Sequence, residues 1–144
     1  MELLEPFHLH PLFVHFPIAL FISAMGLETA GFLLKKESLQ RAAFYNYLLA
    51  IPFSLLAVGT GWMEAEHHHL VNHPVLNVHR LLGLSATALA VTSAIVLVIL
   101  KKRQNRWFEI LFLVSLILIA TEIAVGGYYG GRMVYEYGIG VEGG

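Results

Sequence analysis

Four long apolar runs constrain this chain more than any other feature. They cover about residues 12–34, 39–62, 75–100 and 107–127. At about 1.5 Å per residue, each run is long enough to cross about 30 Å of hydrocarbon as a helix. A segment in lipid must satisfy its own backbone hydrogen bonds, so helix is the expected state. Because only 13% of the residues are charged, about half the usual share of a soluble domain, we predict one all-α, four-span transmembrane domain over residues 1–144.

The basic residues predict the orientation of these spans. Seven of the nine lysines and arginines lie near the two turns after the first and third runs: Lys35, Lys36, Arg41, Lys101, Lys102, Arg103 and Arg106. Basic turns favour the cytoplasmic side of a membrane. We therefore expect a bacterial inner-membrane protein with both termini on the periplasmic side. The short connections predict an up-down four-helix bundle.

Composition excludes several classes of function. The formal net charge is −1, whereas a nucleic-acid partner requires a basic stripe. The absence of cysteine removes thiolate metal ligands, thiol nucleophiles and the covalent attachment of c-type haem. No nucleophile-elbow serine and no phosphate-binding glycine loop is present, so nothing indicates a hydrolase. An electron-transfer protein is favoured over a stand-alone enzyme.

All eight histidines fall on the side opposite the basic turns: His8, His10, His15, His67, His68, His69, His73 and His79. His15 follows Pro11 by four residues and His79 follows Pro74 by five, which places both about 6–8 Å inside their helix starts. The first and third spans are diagonal partners in an up-down bundle, so these two imidazoles are expected to face each other. Such a pair suits the axial positions of a b-type haem; the alternative is two buried histidines hydrogen-bonded to neighbours.

Four further residues are candidates for the same site. Gly83 lies one turn after His79. Its lack of a side chain would leave room for a flat cofactor beside the third span, although small residues also permit close helix packing. His10 is a candidate ligand, helix cap or propionate contact. Arg132 is a candidate partner for haem propionates. Glu122 is a candidate proton acceptor for a quinol or, alternatively, the ion-pair partner of Arg80 or Arg132.

Two other segments carry separate predictions. The His67, His68 and His69 run, together with His73, is a possible second site for Zn²⁺ or Cu²⁺, although a solvated loop is the competing interpretation. The glycine- and tyrosine-rich segment over residues 126–144 predicts a cap folded over the periplasmic mouth of the bundle.

The chain also contains a short internal similarity. His10-Pro11 followed by Val14-His15 matches His73-Pro74 followed by Val78-His79, with one more residue between proline and the second histidine. A duplicated helix pair would relate His15 and His79 by a pseudo-two-fold axis along the membrane normal.

The same motifs carry a family resemblance over nearly the whole chain. HPLFVHFPIAL near the start, HRLLG in the third span and GGYYGGRMVYEYGIGV at the end resemble a bacterial family of small four-span membrane proteins of unknown function. The resemblance implies the four-span fold and places His15 and His79 at the family's signature positions. Because members are predicted to bind haem and occur beside redox modules, it also implies an electron-transfer role.

Three classes of function remain open at this stage. The leading one is a b-type cytochrome-like protein that passes electrons between membrane quinol and a redox partner on the periplasmic side. The second is a non-haem copper or zinc protein. The third is a cofactor-free subunit of a larger membrane redox complex, and in each class the chain is a candidate homo-oligomer.

Overall fold

The computed structural model describes residues 9–67, 73–101 and 106–139. The described chain consists of four α-helices: α1 (Leu9–Leu34), α2 (Glu37–His67), α3 (Pro74–Lys101) and α4 (Arg106–Tyr137). All four are long and apolar enough to span a membrane. The prediction of an all-α protein with four membrane-crossing helices is therefore confirmed.

The turn between α1 and α2 shows how sharply the helices are punctuated. Lys35 adopts a left-handed conformation with a φ of 53°. The N–H of Lys36 donates to the carbonyl of Gly31 at 2.9 Å and that of Lys35 donates to Phe32 at 3.4 Å. This pattern is a Schellman motif, which satisfies the last carbonyls of a helix. It lets α2 begin at Glu37 and run back along α1.

Two antiparallel hairpins, α1–α2 and α3–α4, make up the bundle. Packing is densest within each hairpin, and the ring is closed by contacts of α2 with α3 and of α1 with α4. Two side-chain hydrogen bonds show that α1 and α2 are antiparallel. Gln40 donates to Glu28 near the turn, and Asn46 donates to Ser23 further from the turn. This order of contacts is that of an up-down bundle.

The core lies in the middle of the bundle and is built mainly from aromatic and aliphatic side chains. Tyr47 of α2 is fully buried and contacts the rings of Phe21 and Phe112 edge-on. Its hydroxyl is 2.5 Å from Oγ of Ser93 and 3.4 Å from the carbonyl oxygen of Ala90, so polar contacts with α3 link the two hairpins. Large apolar side chains are also exposed all around the bundle, which is the surface that a lipid environment covers.

The two hairpins repeat the same buried register with a constant offset of 69 residues. Residues at equivalent positions are buried in both hairpins: Pro17 and Ala86, Phe21 and Ala90, Ala24 and Ser93, Glu28 and Leu97, Ala43 and Phe112, Tyr47 and Leu116, Ala50 and Ile119, and Ala57 and Gly126. The matching burial pattern is what a duplicated helix pair predicts. The duplication itself remains a prediction, and this offset differs from that of the His-Pro match.

The predicted C-terminal cap is wrong over residues 126–137, because α4 continues without interruption to Tyr137. Glycine weakens a helix by about 0.5–1 kcal/mol relative to alanine, which favours a cap in water. Within lipid, however, backbone groups must stay hydrogen-bonded, and Gly126 and Gly130 pack directly against α3. The helix ends where Gly138 turns left-handed with a φ of 64°; residues 140–144 lie outside the described part of the chain.

One end of the bundle carries the functional candidates. We call it the histidine end: it contains the first residues of α1 and α3 and the last turns of α2 and α4. The opposite end contains the turn at Lys35 and Lys36. The assignment of the histidine end to the periplasm remains a prediction from charge.

Candidate functional site

His10 and His79 face each other at the histidine end. Their ring centroids are 6.2 Å apart and the ring planes are nearly perpendicular, at 88°. His10 lies in the first turn of α1 and His79 in the second turn of α3, so the diagonal helices meet here through side chains. Both rings are half-buried. The pair is the most specific polar arrangement in the described bundle.

Each ring is held by a backbone carbonyl of its own hairpin. Nδ1 of His10 lies 2.9 Å from the carbonyl oxygen of Ala57 on α2, and Nδ1 of His79 lies 2.9 Å from that of Gly126 on α4. In both cases 47 residues separate histidine and carbonyl. Since a carbonyl only accepts hydrogen bonds, both Nδ1 atoms carry the proton. In the neutral form of each ring, the proton on Nδ1 leaves the lone pair on Nε2, as in most metal-binding histidines.

A glycine lies close to each ring, one helical turn after the residue whose carbonyl accepts the hydrogen bond. A Cβ atom at Gly61 would lie 2.9 Å from Nδ1 and Cε1 of His10, so a side chain there would require the ring to shift. A Cβ atom at Gly130 would lie 3.4 Å from Cε1 of His79. These glycines allow α2 and α4 to approach the rings closely enough to form the carbonyl hydrogen bonds. Their positions are also related by the 69-residue offset.

The separation of the rings matches two imidazoles on one metal. A metal ion lies about 2.0–2.1 Å from an imidazole nitrogen, so two rings on opposite sides of it have centroids about 6 Å apart. The observed 6.2 Å fits that arrangement. The donor set is two neutral imidazoles with anchored Nδ1 atoms, which is the chemistry that the axial positions of a haem require.

The predicted pairing of His15 with His79 is corrected by this geometry. His15 is exposed and its Nδ1 bonds the carbonyl of Pro11 in its own helix. The ring of α1 that faces His79 belongs to His10. The physical reason is that α1 is already helical at Leu9, ahead of Pro11, so His10 lies within the helix.

Gly83 is likewise placed differently from the prediction that it lines the site. It lies on an exposed part of α3, and a Cβ atom built on it would have no neighbour within 4 Å. Its surroundings are open, whereas Gly61 lies close to the ring of His10 and Gly130 close to the ring of His79. A role of Gly83 beside a cofactor remains a prediction.

The two arginines near the site have different partners. Arg132 forms an ion pair with Glu136, one turn later, at 2.7 Å, and a second hydrogen bond to it at 2.8 Å. This contact satisfies the guanidinium locally, which weakens the prediction that Arg132 binds propionates. The guanidinium carbon of Arg80, next to His79, lies 3.9 Å from the ring centroid of Trp62 on α2.

Two carboxylates within the helices are buried in part. Glu122 lies one turn before Gly126, and its Oε2 is buried with no hydrogen-bond partner among the described residues. The predicted ion pair of Glu122 with Arg80 or Arg132 is not formed in the described bundle. Glu28 lies at the other end of the protein, where its Oε1 accepts a hydrogen bond from Gln40 at 3.2 Å.

The predicted second metal site is described only at His73. The ring of His73 packs edge-on against Tyr137, with centroids 4.8 Å apart, and its buried Nδ1 has no hydrogen-bond partner in the described ranges. The side chains of His67, His68 and His69 lie outside the described residues. Across residues 9–67, 73–101 and 106–139, no group of three or more histidine, cysteine, aspartate or glutamate side chains could hold a metal ion.

The sequence also contains a pattern that includes His10, but it relates the two halves of the chain by a different offset from the His-Pro match. At an offset of 69 residues, the two halves share identical residues at six positions: His10 and His79, Leu12 and Leu81, Ala19 and Ala88, Leu20 and Leu89, Leu49 and Leu118, and Gly61 and Gly130. Two of these pairs, His10 with His79 and Gly61 with Gly130, coincide with residues that the structure places at the site.

Fold and site together define a class: a four-span membrane protein with a pair of carbonyl-anchored histidines at one end of its bundle. The chain belongs to the family described as predicted membrane protein, DUF2231, whose model matches residues 6–143. This confirms the resemblance to a membrane family of unknown function. No curated protein and no solved structure matches the chain.

Proposed function

We propose that this protein is a b-type cytochrome-like electron-transfer protein whose haem is bound by His10 and His79. One observation carries the proposal: two half-buried imidazoles face each other at 6.2 Å, each with Nδ1 bonded to a carbonyl and the lone pair left on Nε2. A pair held in this way suits a shared metal.

The number of protein ligands favours haem over a bare cation. Structural zinc sites use four protein ligands and catalytic ones three, whereas the described part of the chain brings only two imidazoles together here. A porphyrin supplies four equatorial nitrogens itself and requires only axial ligands from the protein. Two opposed histidines are therefore sufficient for haem.

The residues of the chain have distinct roles in this proposal. The carbonyls of Ala57 and Gly126 hold the imidazoles in one tautomer, and Gly61 and Gly130 let the helices approach. When bound, haem iron supplies one-electron exchange, with a potential that its axial ligands and surroundings set. For a quinol as electron donor, we assign the unpaired Oε2 of Glu122 as a proton acceptor near this end of the bundle. The redox partner is expected at the same end.

An absorption spectrum of protein expressed with excess haem tests the proposal. Wild type is expected to show the Soret and sharp α/β bands of a six-coordinate, low-spin haem. His10→Gly and His79→Gly are expected to lose those bands and to recover them when imidazole is added to the purified protein. Recovery distinguishes a lost ligand from a failure to fold.

His15→Ala is the matched control, because His15 is an exposed histidine of the same helix. It is expected to keep the wild-type spectrum. A protein with no Soret band, or a spectrum that depends on His15 and not on His10, would overturn the proposed ligand pair. Zinc or copper in a colourless protein, found by metal analysis, would instead favour the non-haem alternative.

A further inference from the structure

The two hairpins differ in the residues next to those of the histidine pair. On one side, Arg80 of α3 lies over the ring of Trp62 of α2, with its guanidinium carbon 3.9 Å from the ring centroid. The positions related to these two by the 69-residue offset hold Pro11 on α1 and Gly131 on α4. A cationic contact therefore closes the α2–α3 edge of the site, and neither equivalent residue can make one at the α1–α4 edge.

Arg80 and Arg132 differ in how their charge is satisfied. Arg132 is paired with Glu136 at 2.7 Å. Within the described residues, no carboxylate lies within ion-pairing distance of Arg80, although this side chain is half-buried in a membrane-spanning helix. A cation in such a segment is costly unless an anion or water compensates it, and such residues are commonly functional. The charge of Arg80 is thus available to a ligand.

The contact with Trp62 leaves the hydrogen-bonding capacity of Arg80 intact. An aromatic ring attracts a cation to its face, whereas the five N–H donors of a guanidinium lie in its plane. Trp62 is itself held by a hydrogen bond from its Nε1 to Oε1 of Glu66 at 2.6 Å. Glu66 and Trp62 therefore position Arg80 without using the donors that match a carboxylate bidentately.

Neighbouring residues connect this contact to the histidine pair. Arg80 directly follows His79, and Trp62 directly follows Gly61, which touches the ring of His10. Arg80 and Trp62 therefore lie at the α2–α3 edge of the histidine end, each one residue along its helix from a residue of the site. At the α1–α4 edge, a Cβ atom at Gly131 would have no neighbour within 4 Å, and Pro11 carries no charge.

We propose that Arg80 binds the carboxylate substituents of the planar cofactor held by His10 and His79. When such a cofactor is bound, this contact would direct its carboxylates toward α2 and α3. This assignment rests on the proposed function, and it replaces Arg132 as the expected propionate partner. Because bonds between a guanidinium and a carboxylate contribute about 1.5–3 kcal/mol, loss of Arg80 is expected to weaken binding roughly 10- to 100-fold.

The experiment compares two ligands that differ only in the carboxylates. Apo-protein in detergent is titrated with haemin and with haemin dimethyl ester, and the dissociation constants are read from the Soret band. For wild type, haemin is expected to bind at least about tenfold more tightly than the ester, which corresponds to about 1.4 kcal/mol. Arg80→Gln is expected to remove this preference while binding the ester as wild type does.

Arg132→Gln is the matched control, an arginine at the same end of the bundle, and it is expected to retain the preference for haemin. Equal weakening of both ligands by Arg80→Gln would show a structural role, and no weakening would show that Arg80 is not the partner; either result overturns the inference. If wild type binds both ligands equally well, only this inference fails. If wild type binds neither, the proposed function fails with it.

Discussion

The two hairpins have the same buried register but fill it with different chemistry. At equivalent core positions the first hairpin has Tyr47 and Glu28 where the second has Leu116 and Leu97. Among the residues that the two hairpins share, His10 and His79 and the glycines Gly61 and Gly130 lie at the histidine end. These four shared positions form the site, while unshared positions place different polar residues in the two cores.

The largest expected effect comes from truncating the buried side chains at equivalent core positions of the two hairpins. Tyr47→Ala is expected to lower the free energy of unfolding by about 3–5 kcal/mol, because a fully buried aromatic side chain is lost, together with its bond to Ser93. Leu116→Ala is expected to cost about 2–5 kcal/mol. Denaturation in mixed detergent micelles, followed by circular dichroism, measures both.

Leu49→Ala is the control for this pair, since Leu49 is 52% exposed on α2. It is expected to change stability by less than about 1 kcal/mol. If Tyr47→Ala and Leu49→Ala changed the free energy of unfolding equally, the assignment of Tyr47 to the core of the first hairpin would be wrong.

A smaller effect is expected from making the first hairpin resemble the second. Glu28→Leu places the residue of position 97 at the equivalent position of the first hairpin. It removes a carboxylate whose Oε2 is buried without a partner among the described residues, but it also removes the hydrogen bond from Gln40. We expect a net stabilisation of about 1 kcal/mol, because an unsatisfied buried polar atom costs about 1–3 kcal/mol and a hydrogen bond contributes about 1.

Glu28→Ala distinguishes polarity from volume in that experiment. It removes the same carboxylate but leaves a cavity, so it is expected to be less stable than Glu28→Leu. A clear destabilisation by Glu28→Leu in the same denaturation assay would mean that Glu28 has a favourable partner that the hairpin comparison misses.

The two glycines that lie close to the histidine rings are expected to respond unequally. Gly61→Ala would bring a methyl group to 2.9 Å from the ring of His10, whereas Gly130→Ala leaves 3.4 Å to His79. Crowding of this kind costs about 1–3 kcal/mol, so we expect Gly61→Ala to weaken haemin binding about tenfold and Gly130→Ala to have little effect. Soret titration of both variants measures this. Equal affinities would show that the ring of His10 moves aside without loss.

The smallest expected effect concerns the polar link between the hairpins. Tyr47→Phe keeps the ring and removes only the hydroxyl that contacts Ser93. Side-chain hydrogen bonds in membrane proteins average about 0.6 kcal/mol, so a destabilisation of that order is expected. In a double-mutant cycle with Ser93→Ala, additive losses would show that the two hydroxyls do not act as a pair.

Much of the fold follows from periodicity and length alone, but the end of α4 does not. Glycine and tyrosine after residue 126 indicate a turn when judged by propensities measured in water. In the folded bundle α4 continues to Tyr137, because Gly126 and Gly130 allow close packing on α3. Propensity describes an isolated segment, and packing overrides it here.

For the site, the sequence predicts a histidine from each of the first and third spans, and it names His79. It favours His15 over His10 because the His-Pro match suggests that both helices start at proline. The start of α1 at Leu9 shifts this register. A histidine close to a helix end can serve as a cap or as an inward-facing ligand, and local sequence does not distinguish the two.

The amino-acid sequence by itself determines four apolar helices and the clustering of histidines at one end, because hydrophobic length and composition act along a single chain segment. Only the tertiary structure decides that His10 meets His79, that each Nδ1 bonds a carbonyl of its own hairpin, and that Arg80 lies over Trp62. These contacts depend on the axial register of helices that are distant in sequence. That register is set by side chains packing across the bundle, where a shift of one residue turns a helix by about 100° and replaces one facing side chain by another.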